Sequence, residues 1–167
     1  MRSRLLSLTA LCAEYCSAVE GAPEMEKEEF VKSMLSLLPR IYFDFFDIQP
    51  DGADLLEEQY YPQYLDEDYY DSIRRRLESV LGEDDTFLET FEEDMKYSDT
   101  PIAASISESL ADIFQPLYDF LQNVRESGGD DTVGAFLQAR ESFESDWSQT
   151  LCNVLRALNH LYLNLKP

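Results

Sequence analysis

Between Thr132 and Leu165 the apolar residues Val133, Phe136, Phe143, Trp147, Leu151, Val154, Leu158, Leu161 and Leu165 return every three or four positions, with Arg140 in the same phase. That is the period of one helix face, so the spacing predicts a single helix of about 30 residues, roughly 45 Å long at 1.5 Å per residue. A helix of that length cannot leave its apolar stripe in water. It has to bury the stripe against other helices, and this restricts the architecture to a bundle with the C-terminal helix as its central element.

The rest of the chain supplies the partners. Leu5, Leu8, Cys12, Tyr15, Cys16 and Val19 line one face of a first helix that stops at Gly21. A second helix begins near Glu24 and buries Phe30, Met34, Leu37, Leu38, Ile41, Phe45 and Ile48, with Pro39 inside the pattern as a kink. Residues 49–65 lose the helical period and form a long acidic, tyrosine-rich connection. Asp66 is the expected N-cap of a third helix carrying Tyr69, Ile73, Leu77 and Val80, stopped by Gly82. A short fourth helix is expected from Asp84 or Asp85, with Phe87, Leu88, Phe91 and Met95 inward. Thr100 and Pro101 read as the N-cap and first turn of a fifth, whose stripe runs from Ile102 to Val124 through a second kink at Pro116. No strand-like alternation of useful length is present. The expectation is one all-α domain over residues 1–167, a bundle of about six helices with kinks near Pro39 and Pro116.

The chain carries 34 acids against 13 bases and a formal net charge of −21. Nineteen of the acids, against four bases, fall in residues 44–99. Such a field repels nucleic acid and anionic membrane and attracts a cationic partner. Direct nucleic-acid binding is therefore not expected, although ordered carboxylates could mimic nucleic-acid phosphate. No run of apolar residues reaches a membrane span. The basic, apolar opening imitates a short export signal, but its apolar positions continue in helical phase to Val19, which favours a first helix. Three cysteines among helix-core neighbours favour a reducing, cytoplasmic setting over a disulfide scaffold.

Chemistry-bearing patterns are few. A carboxylate-bridged dimetal site needs Glu-x-x-His pairs, yet the only histidine, His160, follows Ala157 at that spacing. Cys12, Cys16, Cys152 and His160 would make a zinc site only if the first and last helices packed level, and buried structural cysteine is the commoner outcome. No metal and no cofactor are expected. The glycine-acid-acid runs at Gly82 and Gly129 lack the alternating ligands of a calcium loop and are explained as a helix stop followed by an N-cap. Arg74, Arg75 and Arg76 lie at helical spacing from Asp71 and Glu78, which points to local ion pairs. Nothing resembles a nucleophile elbow or a phosphate-cradling loop, so catalysis has no named residue.

Arg140 stands where the stripe calls for an aliphatic residue. Its guanidinium either snorkels to solvent or is held by a carboxylate from a facing helix, with Glu14, Glu108 and Asp112 as the available partners.

The strings Glu93-Asp94-Met95-Lys96-Tyr97-Ser98-Asp99-Thr100-Pro101-Ile102, Ala13-Glu14-Tyr15-Cys16, Glu29-Phe30-Val31 before Leu37-Leu38-Pro39, and Trp147 late in the chain resemble an uncharacterised family of bacterial helical proteins. That family is a domain of unknown function, found mostly in gut anaerobes of the Bacteroides type. The resemblance spans nearly the whole chain. It implies a cytoplasmic all-α protein and brings no catalytic residue, cofactor or partner with it.

Two functions of different class remain open. In the first, favoured here, Tyr60, Tyr61 and Tyr64 with Glu57, Glu58 and Asp66 form a non-catalytic surface for a basic protein partner. In the second, Tyr42, Tyr97 and Tyr118 line a small-molecule or enzymatic pocket between the two proline-kinked helices.

Overall fold

The C-terminal stripe forms a helical rod from Thr132 to Leu165. It consists of α5 (Thr132–Ser142), a single π-helical turn (Phe143–Trp147) and α6 (Ser148–Leu165). Phe136, Phe143, Trp147, Leu151, Val154, Leu158 and Leu161 are all buried, as their spacing requires. The computed structural model describes residues 2–51, 59–89 and 102–165. Within them the remaining helices are α1 (Arg2–Glu20), α2 (Lys27–Asp47), α3 (Glu67–Leu81) and α4 (Ile106–Glu126). Helix α2 packs along α6, while α4 touches α1, α3, α5 and α6. One hydrophobic core results, drawing on every helix.

Phe45 of α2 sits at its centre. Its ring lies 5.3 Å from that of Phe136 and 4.9 Å from that of Trp147, with Phe120 of α4 6.1 Å away. Each fully buried ring of this kind is worth about 1.5–3 kcal/mol in area alone, so the aromatic cluster locks α2, α4 and the rod together. Pro39 and Pro116 both lie inside unbroken helices. Neither can donate a backbone hydrogen bond, which leaves the carbonyls of Leu35 and Asp112 without their usual partner one turn on.

The helix boundaries around α3 follow local signals. Asp66 accepts from the Tyr69 N–H at 2.7 Å, and Gly82 ends the helix with φ of 56°. Beyond Gly82 the chain departs from the sequence expectation. A tight helical turn at Gly82–Asp85 leads into a strand, β1 (Thr86–Leu88), paired antiparallel with β2 (Ala103–Ser105). Phe87 and Leu88 are therefore in a short ribbon and not in a fourth helix; Phe91 and Met95 lie outside the described residues.

Helix α4 likewise starts at Ile106, with Ser105 as its N-cap, rather than at Pro101. The cause is tertiary. The buried carboxylate of Asp85 accepts from both the backbone N–H of Ser107 at 2.7 Å and its hydroxyl at 2.6 Å, satisfying donors that a helix start leaves open. Pairing of β2 with β1 then holds Ala103–Ser105 extended. No helix among the described residues is long and apolar enough to cross a membrane.

Candidate functional site

Asp112, Gln115, Pro116, Asp119 and Asn123 recur along one face of α4 at helical spacing. Opposite them α5 presents Ala135, Gln138, Ala139 and Ser142, whose small side chains cannot fill the space that larger apolar residues would. A cleft of about 270 Å³ remains between the two helices, with Trp147 in its wall and Tyr61, Pro62 and Gln63 at one end. Asp112 and Asp146 also border a second hollow of about 340 Å³, bounded by Glu89, Ser105, Glu108, Gln149 and Asn153. The π-turn lies at this junction and carries both Asp146 and Trp147. Helical turns of this type are uncommon and gather at functional sites.

The two hollows hold the carboxylates of Glu89, Glu108, Asp112, Asp119 and Asp146, and among the described residues no lysine, arginine or histidine lines either one. Loss of water pushes the Asp112 carboxyl above its ordinary range; the Tyr70 hydroxyl, donating at 2.5 Å, opposes this, while Glu108 and Asp146 add to it. Burial raises Asp119 in the same direction, partly offset by the N–H groups of Tyr64 and Leu65 that donate to it. Both shifts come chiefly from desolvation, and only at Asp112 do neighbouring carboxylates add to it. Among the described residues no cluster of three metal-ligating side chains forms.

Three of the five tyrosines between Tyr60 and Tyr70 are fastened by their hydroxyls. Tyr61 donates to Asp131 at 2.5 Å, Tyr69 to Glu20 at 2.8 Å and Tyr70 to Asp112. Tyr60 projects outward with 84% of its surface exposed, and Tyr64 is exposed with its backbone N–H held by Asp119. Asp66 is occupied as the α3 cap. Glu57 and Glu58 lie outside the described residues.

Arg140 is largely covered but meets none of the three carboxylates suggested by sequence. Its guanidinium donates to the carbonyl of Ile48 at the end of α2 and lies 5.3 Å from the Phe136 ring, with Glu144 of its own helix at 3.9 Å. Glu14 and Glu108 are exposed, and Asp112 is engaged by Tyr70. The correction has a simple origin: the last carbonyls of α2 need donors, and a cation there is favoured by the helix dipole.

Of the pocket tyrosines, Tyr42 packs on Phe46 and Phe143, and Tyr118 on Phe114 and Tyr69, so neither ring lines the cleft beside Pro116. Tyr97 lies outside the described residues. Tyr61 is the tyrosine that reaches the cleft. Cys12 and Cys16 are buried in α1, whereas Cys152 and His160 are exposed on α6, so the four do not converge. Arg74 and Arg75 pair with Asp71, both at 2.8 Å.

With this geometry in hand, the chain can be set beside known proteins. It is similar to the crystal structure of a Bacteroides fragilis protein determined as a structural-genomics target, with a TM-score of 0.78 and 25% identity over 95% of this chain and 91% of that one. No curated protein matches it. The family model described as a domain of unknown function, DUF5063, matches residues 2–164, and the chain belongs to that family.

Proposed function

We propose that the protein is a non-catalytic binding module for a basic protein segment, which lays lysine or arginine side chains along the groove between α4 and the C-terminal rod. The observation that carries this reading is that two neighbouring hollows share Asp112 and Asp146, with five carboxylates and no base among the described residues that line them. An incoming cation would relieve the mutual repulsion of Glu108, Asp112 and Asp146, and the field of a −21 chain would draw it in. The cleft beside Pro116, at about 270 Å³, falls below the usual span of small-molecule sites and suits a single long side chain better than a free ligand. Tyr60 and Tyr64, exposed beside the groove end, supply contact area. Two of the three thiols are packed in α1, which suits a reducing compartment, and we place the protein in the bacterial cytoplasm.

Trp147 is the sole tryptophan and stands in the groove wall, so its fluorescence reports occupancy directly. Titration with a lysine- and arginine-rich peptide is expected to give a saturable spectral change that weakens as salt is added. Asp112→Asn with Asp146→Asn should reduce the affinity about tenfold, one charge pair being worth roughly 1–2 kcal/mol in a partly desolvated groove. A peptide that leaves the spectrum untouched at low salt, or that binds the double variant as well as the parent, removes the proposal.

A further inference from the structure

We propose that residues Gln59–Leu65 form a strap that closes one end of the acidic groove and opens as a unit, with Tyr61 as its latch. The strap has no regular backbone hydrogen bonding of its own and lies across α4 and the start of α5. Among the described residues three side chains hold it to the helices by hydrogen bonds. Asp119 accepts the N–H groups of both Tyr64 and Leu65, at 2.8 and 3.0 Å, through one oxygen; Asn123 donates to the Pro62 carbonyl at 3.3 Å; Asp131 accepts the Tyr61 hydroxyl at 2.5 Å. Leu65 alone is buried, and it marks the hinge at the α3 end. A segment held by side-chain hydrogen bonds, with apolar packing on the core at Tyr61 and Leu65, belongs to the low-stability end of a fold and opens without the helices beneath it.

The latch is specific. The Tyr61 hydroxyl rests against the backbone of α5 at Gly134, where a Cβ would run into both that hydroxyl and the Asp131 carboxylate. Only glycine admits the ring at this position. Pro62 follows directly, and its fixed φ, together with the extended backbone it imposes on Tyr61, couples the latch to the Asp119 anchor two residues further on. Tyr61, Pro62 and Gln63 wall the same cleft as Trp147, so release of the latch uncovers the interior of the groove. The inference rests on the proposed function only for its consequence; the motion itself involves no ligand.

Hydrogen exchange of the Tyr64 and Leu65 amides, read residue by residue by NMR on the ligand-free protein, tests it. Tyr61→Phe removes the latch hydroxyl and keeps the ring, and Gly134→Ala blocks its seat while favouring the helix. Both are expected to speed exchange at Tyr64 and Leu65 about tenfold, the equivalent of one hydrogen bond to a carboxylate, with the α4 core amides unchanged. Acrylamide quenching of Trp147 should rise in parallel. Tyr60→Phe, at an exposed ring, should leave all of these as in the parent. Unchanged exchange in Tyr61→Phe overturns the proposal, as does acceleration shared equally by the α4 core. Because no peptide is added, failure of the basic-partner reading leaves this result standing, and the reverse holds too.

Discussion

Asp85 and Arg140 do the same job from opposite ends of the charge scale. Asp85, 8% exposed, meets the open N–H of Ser107 at the start of α4, and Arg140 meets the open carbonyl at the end of α2. Each is a largely covered charge that meets a backbone group at a helix end, Asp85 with the Ser107 hydroxyl beside it and Arg140 with Glu144 at 3.9 Å. Asp85→Ala should cost about 1–3 kcal/mol in urea denaturation, because it strands two donors of Ser107 where water does not reach. Loss of less than half a kilocalorie would show that the cap is replaceable by Ser105 alone. Neither partner was legible in sequence. Asp85 looked like the first residue of a helix where Thr86–Leu88 form a strand, and Arg140 invited a search among carboxylates when its acceptor was a peptide carbonyl, a group every residue carries.

At the scale of elements, the rod contains the one irregularity that sequence could have disclosed. Its stripe alternates steps of three and four until Phe143, Trp147 and Leu151, where two steps of four follow in succession. The slip coincides with the π-turn, which is one residue inserted into an α-helix. That residue aims Asp146 and Trp147 into the groove. Deleting the exposed Ser145 is expected to convert the turn to regular helix and leave α5 and α6 in phase with the core, at a stability cost below about 2 kcal/mol, while weakening binding of a basic peptide. Unfolding of the deletion variant in circular dichroism would assign the extra residue to packing and not to the groove. The ribbon of β1 and β2 is the opposite case. Three residues on each side carry no alternation long enough to detect, and what holds them extended is pairing across a long stretch of chain.

For the whole molecule, excess negative charge sets the response to pH. Asp112 and Asp119 keep their protons more readily in the folded chain than in the unfolded one. The folded state therefore binds more protons just above the ordinary carboxylate range, and stability falls as pH rises through that window. Tyr61 and Tyr69, pushed up to about 12 by burial and by bonds to carboxylates, behave alike at the alkaline end: unfolded tyrosine ionises near 10 while the folded groups stay neutral. Thermal melts should accordingly improve as the pH is lowered towards the ordinary carboxylate range, and decline above about pH 10. Melts that fall as the pH is lowered from neutrality towards that range would contradict the upward shifts of Asp112 and Asp119. The bundle itself was written into the chain, because an apolar stripe some thirty residues long must be covered and because glycine and aspartate mark helix ends by local geometry that needs no distant partner. The acidic groove, the strap and the true start of α4 were decided only in three dimensions. Each depends on which side chains from remote segments meet, Asp119 with Tyr64, Tyr61 with Gly134, Asp85 with Ser107, and a periodic pattern records which residues are buried but not what they are buried against.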